Sequence, residues 1–159
     1  MIKKIKILLF LIIVNSTILF SQEFPVYSFK EFEPLLHKND DKVYVINFWA
    51  TWCRPCVKEI PTFNQLYETY KNNNVEIILV SLDFGKNLQS RILDFKNTHN
   101  IKATIIILDD PDSNSWIDKV NKDWSGAIPT TIIYNKKAVK FFEQSFDYKE
   151  LENELKNFL

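Results

Sequence analysis

Glycine is scarce in this chain of 159 residues, in which only Gly85 and Gly126 occur. Two glycines so far apart cannot form a G-x-G-x-x-G turn or a G-x-x-x-x-G-K loop, so the usual glycine-rich phosphate-binding loops are absent. The only two histidines, His37 and His99, are too few for a histidine-rich metal site, and Met1 is the only methionine. These absences exclude the common nucleotide-binding motifs and argue against a metal centre.

Neither sign of charge dominates the composition. The chain has 20 basic and 20 acidic side chains, and 46% of its residues are hydrophobic. This balance is typical of a folded domain rather than a disordered chain, and it argues against a strongly basic nucleic-acid-binding protein. We therefore expect one folded domain over residues 24–159, no nucleic-acid partner and a monomeric protein.

Residues 1–21 have the layout of a secretory signal peptide. Three lysines among the first six residues precede an unbroken apolar run over 7–14, and the small residue Ser21 closes the segment. The apolar part would span roughly 21 Å as a helix, against a membrane hydrocarbon core of about 30 Å. We predict export to the periplasm or cell envelope with cleavage after Ser21. An uncleaved membrane anchor is the first alternative and a buried helix the second.

The rest of the chain alternates between strand and helix patterns, and an antiparallel hairpin precedes the last helix. Short apolar runs rich in β-branched residues predict strands at 43–48, 75–82, Thr104–Leu108, Thr130–Tyr134 and 138–142. Apolar residues at helical spacing predict helices at 29–36, Arg54–Tyr70, 86–99, within 109–124 and at 148–158. The alternation predicts an α/β fold with one mixed sheet and helices on both faces.

The cysteines, Cys53 and Cys56, fall between a predicted strand and the helix after it, where α/β proteins carry their active loops. Unpaired N–H groups and the helix dipole at such a position favour a thiolate, with a pKa in the range of about 3.5–7.5. A bridge across two residues closes too small a loop to stabilise the fold. We predict that Cys53 is the exposed nucleophile and that Cys56, one turn deeper, resolves the mixed disulfide.

The dipeptide Arg54-Pro55 lies between the cysteines. Pro55 suits the first helical turn because the N–H group that it lacks would be unpaired there anyway. The alternatives to redox exchange are a zinc half-site or two unrelated core thiols. A structural zinc site takes four ligands and the chain has no second cysteine pair, so we expect neither a metal nor another cofactor.

Two further groups of side chains have plainer interpretations. The acidic cluster Asp109, Asp110 and Asp112 is predicted to cap a helix N-terminus, because Pro111 and the missing glycine do not fit a calcium-binding loop. Four aromatic residues are predicted to lie in the core rather than to contact a ligand: Phe48, Trp49, Trp116 and Trp124.

The segment N-F-W-A-T-W-C-R-P-C-V-K-E-I-P at residues 47–61 resembles the active-site stretch of the thioredoxin superfamily, in particular of the exported TlpA/ResA-like thiol–disulfide oxidoreductases. The order of elements extends the resemblance over roughly residues 26–158. It implies a thioredoxin-like three-layer α/β/α fold with an extra helix–strand unit at about 86–109. It also implies exchange with cysteine-containing protein substrates, mostly as a reductant, with electrons from a membrane-embedded donor.

The resemblance further implies roles for single residues. Trp52 would form a wall of the site, and Pro61 would bend the active-site helix. Ile128, Pro129 and Thr130 match the cis-proline segment of the family, whose backbone at Ile128 would pair with an extended substrate peptide.

Asn47 stands where cytoplasmic thioredoxins have a buried aspartate, and an amide cannot take up a proton. Glu59, three residues after Cys56, is the remaining acid within reach, and the TlpA/ResA branch has a glutamate there. We predict that Glu59 is partly buried, has a raised pKa and exchanges a proton with Cys56. The alternative is a solvated glutamate paired with Lys58 or another neighbour.

Two other functions remain open at this point. A peroxidase of the peroxiredoxin type would resemble P-x-x-x-T-x-x-C at its reactive cysteine, but Ile46 and Ala50 stand at the proline and threonine positions. A copper-binding chaperone would use both thiols together with a nearby histidine or methionine.

Overall fold

The computed structural model describes residues 24–159, so the predicted signal peptide at 1–21 lies outside the described residues. Within this range, six strands form one sheet in the order β1-β4-β3-β2-β5-β6. The strands are β1 (Val26–Tyr27), β2 (Val43–Trp49), β3 (Val75–Ser81), β4 (Thr104–Leu108), β5 (Thr130–Tyr134) and β6 (Val139–Phe142). The predicted mixed sheet is confirmed, and two of the predicted strands have the same bounds in the structure.

In the described part of the chain, five α-helices connect and flank these strands. They are α1 (Phe29–Phe32), α2 (Arg54–Tyr70), α3 (Leu88–His99), α4 (Ile117–Val120) and α5 (Tyr148–Lys156). Helix α2 has the predicted bounds and continues through Pro61. A capping box starts α5, where the Asp147 side chain accepts a hydrogen bond from the Glu150 N–H group. None of the helices in residues 24–159 is long and apolar enough to span a membrane.

Strand β2 lies in the middle of the sheet and is buried along its whole length. It runs parallel to β3 and antiparallel to β5, with Asn47 directly opposite Thr131. The carboxyl ends of β2 and β3 therefore meet the amino end of β5 at one edge of the sheet. This edge gathers the loops that follow β2 and β3 and the loop that leads into β5.

The two faces of the sheet carry separate hydrophobic cores. One core includes side chains of α2, α3 and α5, among them Phe63, Ile92, Leu151 and both cysteines. The other packs α1 and the residues around α4 against the opposite face, and it includes Phe29, Phe32, Phe48, Trp116 and Trp124. Helices thus cover both faces, as the three-layer fold requires, and the four aromatic residues assigned to the core are all buried.

The structure corrects the sequence-based predictions for the neighbour of β4 in the sheet and for the segment that follows β4. Strand β1, which was not predicted, pairs in parallel with β4 over two residues only, too few for any periodicity to reveal. Helix α4 is a single turn, preceded by a short 3₁₀ segment at Ser113–Ser115, rather than a longer helix starting at the acidic cluster. The carboxylate of Asp110 accepts the Phe29 N–H at 3.0 Å and so caps α1, a helix far away in sequence.

Candidate active site

Cys53 and Cys56 are joined by a disulfide bond at the start of α2, with their Cα atoms 5.3 Å apart. Cys53 is the N-cap residue of the helix, and its Sγ atom accepts a hydrogen bond from the Cys56 N–H group at 3.3 Å. The first N–H groups of a helix have no partner within the helix and carry the positive end of its dipole. The Cys53 sulfur therefore lies where a negative charge is stabilised.

Both sulfur atoms are more covered than the sequence suggests. Cys53 was predicted to be exposed, but it is only 5% exposed in the disulfide form, and Cys56 is fully buried. The reason is the loop before β5, which places the Ile128 carbonyl oxygen 3.6 Å from the Cys53 Sγ atom. Cys53 remains the more accessible of the two.

The peptide bond between Ile128 and Pro129 is cis, as the resemblance implies. Pro129 is buried and Ile128 is half-buried. Thr130 is fully buried, and its hydroxyl donates to the Ala127 carbonyl at 2.8 Å. The Thr130 side chain thus supports the loop from within, while the backbone of Ile128 faces the disulfide.

A tight turn leads from β2 into α2, and the Cys53 N–H group donates to the Ala50 carbonyl across it at 3.1 Å. Trp52 projects from this turn and is 61% exposed. Arg54 and Pro55, which follow Cys53, are also exposed. An aromatic surface and a positive charge therefore flank the disulfide on the solvent side.

Asp83, which the sequence analysis missed, anchors this turn from the neighbouring loop. Its carboxylate accepts the Thr51 N–H at 2.9 Å, the Thr51 hydroxyl at 2.6 Å and the Ser81 hydroxyl at 2.8 Å. Asp83 is only 1% exposed. A charged residue directly after a buried apolar strand, at the sheet edge that carries the cysteines, was the available signal.

Arg91 of α3 connects the inserted helix–strand unit to the same loop. Its Nη2 atom donates to the Phe84 carbonyl at 2.8 Å, and its Nε atom lies 3.5 Å from the Asp83 carboxylate. The Nε contact is an ion pair without hydrogen-bond geometry. The insertion is thus tied, through Asp83, to the turn that precedes Cys53.

Glu59 lies one helical turn after Cys56 and is 3% exposed. Its Oε1 atom accepts a hydrogen bond from Asn47 Nδ2 at 2.9 Å, and its Oε2 atom accepts the Phe146 N–H at 3.0 Å. Burial raises the pKa of Glu59 to about 7, although both hydrogen bonds act in the opposite direction. Since Lys58 is exposed and Glu59 is not, the alternative of a solvated glutamate does not describe this residue.

No three side chains among His, Cys, Asp and Glu are grouped closely enough to hold a metal ion in the described residues 24–159. Of the two histidines, His37 is exposed and His99 stacks on Phe95 at 4.1 Å between ring centroids. The reactive groups that the structure places at the site are the two cysteines and the buried carboxyl groups of Glu59 and Asp83.

Comparison with known proteins finds relatives that are named thiol–disulfide oxidoreductases. ResA of Bacillus thuringiensis (strain Al Hakam), named a thiol-disulfide oxidoreductase, is 40% identical over 62 residues, which is 39% of this chain and 34% of that protein. ResA of Geobacillus thermodenitrificans (strain NG80-2) is 30% identical over 115 residues, 70% of this chain and 61% of that protein. The matched segments thus span less than two thirds of these relatives' own length.

A solved structure shows the fold. The thioredoxin-related protein from Neisseria meningitidis serogroup B superposes with a TM-score of 0.63 at 24% identity, over 74% of this chain and 85% of that chain. The expected thioredoxin-like fold is therefore confirmed. Residues 23–141, which include both cysteines and the cis-proline segment, match the AhpC/TSA family. With three quarters of its length matched in this way, the chain belongs to the AhpC/TSA family.

Proposed function

We propose that this protein is an exported thiol–disulfide oxidoreductase that reduces disulfides in other proteins through Cys53 and Cys56. The observation that carries the proposal is the position of this disulfide, at the N-terminus of α2 and beside the Ile128 carbonyl. A bridge closing so short a loop contributes little to folding stability. Its place at a helix N-terminus, by contrast, lowers the cost of a thiolate and so favours exchange chemistry.

The substrate would bind as an extended segment along the loop that contains the cis-proline. The backbone of Ile128 offers hydrogen-bonding groups to such a segment, and Trp52 offers an exposed aromatic surface beside it. Because the Ile128 carbonyl lies 3.6 Å from the Cys53 Sγ atom, a substrate cysteine paired at this position would lie next to the nucleophile.

The first step would be the attack of the Cys53 thiolate on a substrate disulfide. A sulfur–sulfur bond forms between Cys53 and one substrate cysteine, and the other substrate sulfur leaves as a thiolate. The N–H group of Cys56, which already points at the Cys53 Sγ atom, would stabilise the attacking thiolate.

In the second step Cys56 would give its proton to the Glu59 carboxylate and attack the Cys53 sulfur. The Cys53–Cys56 disulfide forms, the second substrate sulfur leaves as a thiolate, and the proton passes from Glu59 to a substrate thiolate or to water. Two electrons have then moved from the protein to the substrate. Glu59 suits this role because its pKa of about 7 makes proton uptake and release comparably easy near neutral pH. A dithiol in a membrane-embedded donor would reduce the disulfide again.

The test is the equilibrium reduction potential of the Cys53–Cys56 couple against glutathione, together with reduction of insulin disulfides. We expect a potential below about −200 mV, within the reducing part of the range known for such couples. Cys53→Ser should abolish insulin reduction, and Cys56→Ser should trap mixed disulfides. A potential near −120 mV would make the protein an oxidant. Peroxide consumption without a protein substrate, or Cu(I) binding without reductase activity, would favour the other two functions.

Export is proposed from the N-terminal sequence pattern. The mass of the protein recovered from the cell envelope tests this proposal, since cleavage after Ser21 would remove residues 1–21. The three lysines in that segment would be lost with it, which would leave a net charge of −3. Full-length protein in the membrane fraction would instead indicate the uncleaved anchor. We also propose that the protein acts as a monomer, which sedimentation at working concentrations would test.

A further inference from the structure

Among the residues that the structure describes, Asn47 has a buried oxygen atom without a hydrogen-bond partner. Asn47 is fully buried in the middle of β2, and its Oδ1 atom accepts no hydrogen bond from residues 24–159. Buried side-chain oxygens are satisfied in the large majority of cases, so an exception beside the active-site helix calls for a physical reason.

The amide nitrogen of Asn47, in contrast, is fully used. It donates to Glu59 Oε1 at 2.9 Å and to Thr131 Oγ1 at 3.1 Å. The other Glu59 oxygen is occupied by the Phe146 N–H group. This arrangement suits an ionised Glu59, because each of its two oxygens then accepts a hydrogen bond from an N–H donor.

Protonation of Glu59 would break this pattern. Oε2 faces a backbone donor, so Oε1 is the oxygen whose O–H group could point at Asn47, where it would meet the hydrogens of Nδ2. A half-turn of the Asn47 amide removes this conflict, because Oδ1 then accepts from the Glu59 O–H group, while the Nδ2 hydrogens move to the place where Oδ1 now has no partner. The Thr131 hydroxyl can rotate to donate to the same oxygen, since a hydroxyl is both donor and acceptor.

We propose that Asn47 is a positioning residue whose side-chain amide turns over as Glu59 gains and loses its proton, so that both states of Glu59 stay hydrogen-bonded. The inference rests on the proposed proton exchange between Glu59 and Cys56. An asparagine serves this purpose where an aspartate or a leucine would not. Aspartate would place a second negative charge beside Glu59, and leucine would offer neither a donor nor an acceptor.

The groups around Glu59 in the described residues are neutral and do not titrate in the oxidised protein, so the titration of Glu59 can be measured without interference. Strand β2 contributes Asn47, β5 contributes Thr131, and the segment before α5 contributes the Phe146 N–H. On α2 itself, Cys56 lies one turn earlier and does not titrate while it is in the disulfide. Within residues 24–159, no charged side chain acts on the pKa of Glu59.

The test is NMR of the oxidised protein between pH 5 and 9, with the side-chain amide of Asn47 and the carboxyl carbon of Glu59 observed separately. We expect the nuclear Overhauser effect between the Asn47 amide hydrogens and the Thr131 methyl group to weaken severalfold below a midpoint near pH 7. In Glu59→Gln this nuclear Overhauser effect should not change with pH. The Asn64 amide, which donates to the His99 carbonyl, is the internal control and should show no such change.

The outcomes separate the two proposals. If the Glu59 carboxyl titrates while the Asn47 contact stays constant, the turnover of the amide is wrong and the proton exchange stands. If the Glu59 carboxyl does not titrate in this range, the proposed proton exchange itself fails.

A kinetic variant adds a second readout. Asn47→Leu should slow resolution of a mixed disulfide on Cys53 by about tenfold at pH 7, a fraction of a full general-base contribution of about 10²–10⁴. The attack of Cys53 on the substrate should keep its wild-type rate, because that step does not involve Glu59. Equal rates of resolution in the variant and the wild type would overturn the positioning role.

Discussion

Two buried carboxylates flank the cysteine motif, and their surroundings differ. Glu59 receives two hydrogen bonds, both from neutral N–H groups, and no cation lies against it in the described part of the chain. Asp83 receives an N–H group and two hydroxyl groups and lies beside a guanidinium. Burial is nearly the same in both cases, so the two groups differ in the number and charge of the donors that surround them.

The two carboxylates also lie near different cysteines along the chain. Asp83 holds Thr51, two residues before Cys53, and therefore fixes the turn that presents the nucleophile. Glu59 lies on the helix one turn after Cys56, so in the proposed function it serves the resolving cysteine. On that proposal, Asp83 fixes the geometry on one side of the motif and Glu59 transfers a proton on the other.

The largest expected effect tests the anchor. Asp83→Ala should lower the free energy of unfolding by about 3–4 kcal/mol, because several buried donors each lose a partner at about 1–3 kcal/mol apiece. Urea denaturation with an unchanged m-value would measure it. Asp94→Ala, at an exposed position on α3, is the matched control and should cost less than about 0.5 kcal/mol. A loss below about 1 kcal/mol in Asp83→Ala would show that the turn holds without its anchor.

The sequence predicted the Glu59 side of this comparison and missed the Asp83 side. Glu59 follows Cys56 at a fixed spacing on one helix, so local periodicity and the family pattern both place it near the thiol. Its partner Asn47 lies within the same short motif. The elements that position them, β2 and α2, were predicted to within one residue because their patterns are long and regular.

Asp83 acts through contacts that no local pattern contains. Thr51 lies 32 residues before it, and the two meet only because β2 and β3 are neighbours in the sheet. The same reason explains why Asp110 was assigned to the wrong helix: its partner, the Phe29 N–H group, is 81 residues away. Sheet order decides which loops meet, and a single sequence does not record that order.

The next effect tests the raised pKa of Glu59 through the pH dependence of the unfolding free energy. The pKa of Glu59 is about 7 in the folded protein and 4.5 without the fold, so folding favours the protonated form. The contribution of Glu59 to the stability of the folded protein is fully present below about pH 4.5 and is lost as the pH rises through about 7. Between pH 5 and 8 the oxidised protein should lose about 2–3 kcal/mol of unfolding free energy relative to Glu59→Gln. Parallel stability curves for the two proteins would contradict the raised pKa.

A smaller effect separates the donors of Asp83. Thr51→Val keeps the backbone N–H bond but removes the hydroxyl that donates to the carboxylate at 2.6 Å. We expect a loss of about 1–2 kcal/mol in unfolding free energy and slower alkylation of Cys53 in the reduced protein, since the turn before it is less fixed. Thr51→Ser keeps the hydroxyl and should restore most of both. Alkylation that stays slow in the serine variant would assign the effect to the lost methyl group.

The smallest effect concerns the cation. The Arg91 side chain is 40% exposed, and its Nε atom makes an ion pair of 3.5 Å with Asp83 without hydrogen-bond geometry. The guanidinium is partly exposed, Asp83 is buried and the pair lacks hydrogen-bond geometry, so we expect Arg91→Gln, which also removes the bond to the Phe84 carbonyl, to lower the unfolding free energy by about 1 kcal/mol. The difference from the wild type should shrink in 1 M salt, which screens exposed charges but leaves the bonds to Thr51 and Ser81 intact. A loss as large as that of Asp83→Ala would mean that the guanidinium holds the turn. The α3 insertion would then control the nucleophile more directly than the hydroxyl and N–H donors do.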